Sequence, residues 1–331
     1  MLMNASCFGN LFDLKLPVHR VTLSTINIVS AIMASSLNFL IILSIWRTPS
    51  LHKPSNILLA NLAITDFLVG TIVQPLLILT NFASLENWVQ VFCYCWIVGR
   101  VFGYWFCSTS LFTLVVISVD RLLAILLKNR YRAVVTVRRV IIALLLWWLG
   151  AGLIILSVVT ATEIHYEIYF TVLAIVMFAM LGTIILCYTL SFRILKKMSS
   201  PVMPAVQTGE ENPPAAPPNF RPMKYRRLLI TMVLLLFTTF LFYTPYVCSV
   251  IAAVITHVIY LEQPDVVYDY YRVPFYRFLS LSELIVGINS TVNPLLYLWR
   301  MKKLRDSVGS TVRMILKKEQ SQQRPDQTQD E

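Results

Sequence analysis

Seven long apolar runs, parted by shorter polar stretches, set the pattern of this chain. They cover roughly 21–46, 56–80, 91–127, 140–160, 168–194, 228–260 and 274–299. Each reaches or exceeds the ~20 residues a helix needs to cross a bilayer, so the pattern predicts seven spanning helices within 21–299. Between the fifth and sixth runs, residues 201–222 are rich in proline and polar residues and read as a flexible, extended linker. After Trp299, residues 300–318 are basic and amphipathic, with Met301, Leu304, Val308, Val312 and Ile315 at helical spacing. That stretch should lie along the inner membrane interface as a helix. Residues 1–20 are expected to form an outer segment and 319–331 a disordered tail. The expected fold is an all-α membrane protein: a seven-transmembrane helix bundle with an amphipathic cytoplasmic helix after the seventh span.

Composition agrees, since 57% of the 331 residues are hydrophobic, only 14% are charged, and the mean hydropathy is +0.68. The net charge of +11 raises the possibility of nucleic acid, but its placement argues against that. Of the 28 Lys and Arg, all but Lys15, Arg20, Arg100, Arg272 and Arg277 fall on one side of a seven-span topology. The positive-inside rule then puts the N-terminus outside and the tail in the cytoplasm, with anionic inner-leaflet lipid as a partner of the basic face.

The residues that break the apolar runs carry the chemistry. Asp120 and Arg121 end the third run, and Lys128, Arg130 and Arg132 follow at once, which marks a cytoplasmic helix mouth. Arg121 is either an interfacial anchor or a switch that swings inward. Asp66, alone in the second run, must face the bundle interior and meet a partner or a cation. Asn38, Ser110, Asn289, Ser290 and Asn293 supply neutral oxygens, the ligand type a small hard cation requires, though any one is more often a helix–helix hydrogen bond. Pro245 and Pro294 remove backbone hydrogen bonds inside the last two spans and offer pivots. Arg100 and Glu283 are charges in the outer halves of spans three and seven. Either they pair across the bundle, or they orient a ligand with a charged head and an apolar body lined by Tyr104, Cys107, Tyr243 and Tyr246.

Asn4-Ala5-Ser6 is a short glycosylation sequon in the outer segment. Cys7, Cys93 and Cys95 are also outside, where oxidation is possible, and spacing does not fix which of them pair. No Cys–His cluster has metal spacing, and the four histidines lie near span ends or in loops, so no enzyme site is expected. A transporter or channel remains a second class for seven spans. Internal repeats with matching broken helices would favour it, and none is found.

The motifs in order resemble the class A (rhodopsin-like) G-protein-coupled receptors over about residues 23–316. They are Asn38, the LAITD stretch ending at Asp66, DRLLAI at 120–125, YTP at 243–245 and NSTVNPLLY at 289–297, followed by the basic helix. The resemblance implies that Arg121 pairs with Asp120 at rest and meets a heterotrimeric G-protein once span six swings outward, with Tyr188 and Tyr297 supporting the opened state. It also implies that Asp66, Ser110, Asn289, Ser290 and Asn293 form an allosteric sodium pocket, with no other cofactor or metal. A plasma-membrane location and arrestin as a further partner follow from it too.

Departures narrow the expectation. Leu122 stands where the family has Tyr, Tyr243 where it has Trp, and Tyr225 where an acid often latches span six. A weak resting latch and some basal activity are therefore expected. The loop at 161–167 lacks the family's usual cysteine. Gly103 occupies the position of the amine-binding acid, and residues 274–299 contain no Schiff-base lysine. The ligand is thus expected to be a small molecule, lipid or short peptide, neither an amine nor retinal. The nearest branch is the melanocortin, cannabinoid, lysophospholipid and adenosine group.

Overall fold

The computed structural model describes residues 14, 16–160, 166–199, 222–262 and 271–322. Each apolar run lies in a helix. In chain order these are α1 (Pro17–Arg47), α2 (Pro54–Leu85), α3 (Val89–Leu127), α4 (Val137–Thr160), α5 (Tyr166–Ser199), α6 (Pro222–Glu262) and α7 (Arg272–Arg300). An eighth helix, α8, spans Lys302–Gln322. Its observed end lies beyond Lys318, and α6 takes in Pro222 from the expected linker. Proline opens both α1 and α2, at a position where its missing N–H has no intrahelical partner to lose. Asn4, Cys7, residues 201–221 and the tail beyond 322 lie outside the described residues.

Six of the described helices are long and apolar enough to cross a membrane on length and composition alone. The seventh, α7, carries Arg277, Glu283 and a row of buried hydroxyl and amide side chains, which dilute its apolar character. Its neighbours identify it as a span, because it packs between α1 and α6. The ring closes through α1–α2, α2–α4, α3–α5, α5–α6, α6–α7 and α7–α1, with α3 also against α2 and α4.

Burial is sorted in the sense expected of a bundle in lipid. Leu145, Leu146, Leu149 and Leu153 of α4 point outward, whereas Asn38, Asp66, Gln74, Thr109, Ser282 and Asn289 point in. With apolar tails outside, hydrophobicity no longer chooses the interior, and hydrogen bonding and close packing hold helix to helix. Asn61 Nδ2 donates to Thr113 Oγ1 at 2.8 Å and Trp148 Nε1 donates to Asn61 Oδ1 at 3.0 Å, tying α2, α3 and α4. Gln74 Nε2 donates to Ser30 Oγ at 2.9 Å, and the Ser30 and Thr291 hydroxyls meet at 2.9 Å, tying α1, α2 and α7.

A turn of π-helix at Val69–Val73 rephases α2 in mid-span. There Gly70 lets α2 approach α1, since an added Cβ would lie 2.8 Å from Ser35 Oγ and 3.0 Å from both Ala34 Cβ and the Ser35 backbone nitrogen. Gly70→Val is therefore expected to part the helices and destabilise the bundle by about 1–3 kcal/mol, a typical overpacking cost. Thermal unfolding of the purified chain checks this, and an unchanged Tm would show that the contact is slack.

At the C-terminal end of α1, α8 docks on it through hydroxyl groups. Thr48 and Ser307 hydroxyls lie 2.7 Å apart, and Ser44 Oγ donates to Thr311 Oγ1 at 3.1 Å. Leu304 and Val308 are buried beside them. Two of the hydroxyls that the sequence offers for phosphorylation, Ser307 and Thr311, are thus committed to packing, and Ser310 remains exposed.

At the outer end, Arg20 is fully buried. Its guanidinium stacks on Tyr276 at 4.9 Å and donates to the Leu14 carbonyl and to Asn81 Oδ1. Cys93 is disulfide-bonded, whereas Cys95 is free and buried. Two residues apart on a helix, the two point in different directions.

Candidate functional site

Three polar centres lie along the bundle at different depths. The outermost joins α3 to α7. Arg100 Nη2 lies 3.0 Å from Glu283 Oε1, and the two side chains are 17% and 20% exposed. Arg100 Nη1 also donates to Tyr104 Oη at 3.3 Å, and the guanidinium stands over the Trp96 ring at 4.5 Å. The Tyr104 and Tyr246 rings lie 6.5 Å apart. Of the two expectations for Arg100 and Glu283, the structure realises the cross-bundle pair, and it sets that pair among aromatic rings. Tyr243 and Tyr246 are buried, and Cys107 is half-buried on the same helix as Arg100, about two turns deeper.

The middle centre is built on Asp66, which is 1% exposed. Ser290 Oγ donates to one carboxylate oxygen at 2.8 Å and Asn293 Nδ2 to the other at 3.0 Å. The resolved ion pairs are Arg100–Glu283 and Asp120–Arg121, so among the described residues Asp66 has no cationic side-chain partner. Ser110 Oγ is buried without a hydrogen-bond partner, and Asn289 is 2% exposed. Asn38 does not bond the carboxylate; its Nδ2 donates to the carbonyls of Ala34 and Ser290 and so steadies the α7 side of the site.

The innermost centre sits at the C-terminal end of α3. Arg121 Nε is 3.9 Å from Asp120 Oδ2, a loose contact, and Asp120 Oδ2 has no hydrogen bond. The firmer partner of Asp120 is Tyr131, whose hydroxyl donates to Oδ1 from the short helix Tyr131–Val134. Burial first, and then the bond to Asp120, holds the Tyr131 hydroxyl well above the ordinary tyrosine range, so it remains a donor at physiological pH. Tyr188 and Tyr297 are both buried nearby on α5 and α7, and the Tyr297 hydroxyl carries no partner. Pro245 and Pro294 lie inside α6 and α7.

Sequence reading missed Tyr131, Gln74, Asn61 and Trp148. Tyr131 had no signal beyond its place after a basic cluster. Gln74 and Asn61 are polar breaks in an apolar run, the signal that flagged Asp66 five residues further along from Asn61.

Tyr131 and Arg121 compete for one carboxylate, which makes a signed prediction. Tyr131→Phe is expected to release Asp120 to Arg121 and to lower stability by about 0.5–1.5 kcal/mol, the worth of one hydrogen bond, read as a drop in Tm. An unchanged Tm would show that Arg121 takes over the carboxylate at no cost.

Comparison with known proteins agrees with this architecture. The family described as 7 transmembrane receptor (rhodopsin family) matches residues 37–297. Trace amine-associated receptor 6 of Pan troglodytes is 35% identical over 130 residues, covering 37% of this chain and 34% of the relative. The 5-hydroxytryptamine receptor 1B of Vulpes vulpes is 32% identical over 148 residues, covering 44% of this chain and 37% of the relative. The chain therefore spans a little over a third of the length of these curated relatives. The family match takes in all three polar centres, and with seven helices closing one bundle around them the chain belongs to the rhodopsin family of seven-transmembrane receptors.

Proposed function

We propose that the protein is a plasma-membrane receptor that binds an extracellular ligand in the outer centre and activates heterotrimeric G-proteins at the inner one. The N-terminus faces outside and α8 lies in the cytoplasm, in line with the distribution of basic residues. The observation that carries the reading is the innermost centre. Arg121 is held by a single loose contact to Asp120 at the cytoplasmic mouth of α3, where a partner protein can reach it.

In this reading a ligand acts by binding the open-cytoplasm state better than the closed one. Outward movement of α6 about Pro245 exposes Arg121, and Tyr188 and Tyr297 turn toward the opened space. Because Asp120 is shared with Tyr131, the resting latch is weak and the receptor has basal activity. Arrestin is a further partner, with Ser310 an exposed hydroxyl on α8.

The middle centre fits a sodium ion. Asp66 supplies the charge, and Ser110, Asn289, Ser290 and Asn293 supply oxygens, with the Ser110 hydroxyl unengaged. Bound sodium would neutralise a carboxylate that is otherwise costly at this depth and favour the resting state. The relatives named above are receptors for amines. In this chain Gly103 stands at the position of the amine-binding acid, and the carboxylate of the outer half is Glu283, already paired with Arg100. The reading is therefore a small molecule, lipid or short peptide with a charged head, rather than a simple amine or retinal.

The test is agonist-free nucleotide exchange in membranes across several G-protein subtypes, comparing wild type with Arg121→Ala. Basal exchange that Arg121→Ala removes is the expected result. Equal exchange in the two overturns the reading.

A further inference from the structure

The Arg100–Glu283 pair joins two helices across the outer half of the bundle, and neither side chain is saturated. Arg100 uses one N–H on Glu283 and another on Tyr104, out of the five that a guanidinium offers. Glu283 meets Arg100 through Oε1, and a carboxylate has a second oxygen, Oε2, to offer. Both side chains keep a fraction of their surface accessible, 17% and 20%. Trp96 covers one face of the guanidinium at 4.5 Å.

This arrangement is selective in charge. An anion docked on Arg100 alone sits beside the Glu283 carboxylate and is repelled by it. A cation docked on Glu283 alone meets Arg100 in the same way. In a site drained of water, a charge left unmatched is expensive, so a singly charged ligand spends much of what it gains. A molecule carrying both charges a few bonds apart lies antiparallel on the pair, its anion on the Arg100 edge and its cation on Glu283 Oε2. Every charge then has two opposite neighbours, and the protein pair remains intact.

One turn below Glu283 on the same face of α7, Gly287 leaves room for the Gln74 amide, which would stand 3.2 Å from an added Cβ. Gln74 is 1% exposed and its Oε1 has no partner, an acceptor beneath the end of the site where a cationic group would lie.

We infer that the outer site recognises a zwitterion, an ammonium joined to a carboxylate or phosphate, with Arg100 and Glu283 as the two halves of its specificity. The inference rests on the ligand site proposed above. The same chemistry is found in free amino acids and in phosphoethanolamine lipid heads, and the Trp96, Tyr104 and Tyr246 rings accept an apolar body in either case.

The experiment uses the full chain in lipid nanodiscs and two matched sets of probes. One is phenylalanine, phenethylamine and 3-phenylpropionate; the other is lysophosphatidylethanolamine, its N-acetyl form and a fatty amine of the same chain length. Thermal stabilisation and nucleotide exchange are both read. The expected result is that the zwitterion of one set acts at a concentration about 30-fold or more below its singly charged counterparts, and that Arg100→Met or Glu283→Met removes this advantage. A response in the first set identifies an amino-acid-like ligand, and one in the second a lipid head. A singly charged probe equal to its zwitterion overturns the inference, as does the absence of any shift in both sets. If Arg121→Ala still removes basal exchange in that case, the receptor reading stands and only the zwitterion falls. If the zwitterion stabilises the chain but no G-protein responds, the site stands and the receptor reading falls.

Discussion

Replacing Asp66 by asparagine is expected to preserve the fold and, with the middle centre as the proposed sodium site, to make nucleotide exchange insensitive to sodium. The carboxylate is 1% exposed, accepts from Ser290 and Asn293, and has no cationic side-chain partner among the described residues. An asparagine keeps an acceptor oxygen for one of these donors and removes the charge that would draw in a cation. Wild-type exchange should fall when sodium replaces choline at constant ionic strength, and Asp66→Asn should be flat across the same series. Asp66→Leu separates charge from packing. It leaves the Ser290 hydroxyl and Asn293 amide unsatisfied at about 1–3 kcal/mol each, so its Tm should drop well below that of Asp66→Asn. A full sodium response in Asp66→Asn would place the ion elsewhere.

Breaking the Arg100–Glu283 pair on one side is expected to destabilise the protein more than removing both charges. Arg100→Met strands a carboxylate in the bundle, and Glu283→Met strands a guanidinium. Loss of one partner of a well-buried pair costs about 3–5 kcal/mol, and the partial exposure here brings the expectation toward about 2 kcal/mol. The double variant leaves no orphan charge and should return to within about 1 kcal/mol of wild type, because apolar replacement of an ion pair is often neutral. Thermal unfolding of the four proteins gives the coupling directly. Additive losses would mean that solvent screens the two charges from one another.

The two experiments probe different links. Asp66 tests the proposed ion site in the middle of the bundle, and the outer pair tests the charge balance of the proposed ligand site. Both depend on the same feature of the fold, that polar side chains sit inside a ring of helices whose outer faces are apolar.

Most of the architecture was legible along the chain. Runs of about 20 apolar residues have few alternatives to spanning helices. Each expected run lies in a helix, and the amphipathic stretch after Trp299 is a helix as well. Isolated polar residues in those runs were equally readable as inward-facing, since lipid cannot satisfy them. Ser290 and Asn293 turn inward and both donate to Asp66.

What the sequence left open was pairing. It offered Cys93 and Cys95 on equal terms, and helix rotation places only Cys93 in a disulfide. It allowed Arg100 and Glu283 to face each other or a ligand, and the packing of α3 and α7 brings them to 3.0 Å. It gave Asp120 to Arg121 as neighbours, but adjacent residues on a helix do not face one another, and a tyrosine eleven positions along the chain takes the carboxylate more firmly. By itself, then, the sequence determined the helices and which residues turn inward. These are properties of single segments in contact with lipid or water. Tertiary structure alone decided which inward residues touch, because that depends on the rotation and depth of each helix against its neighbours, and local periodicity carries no record of either.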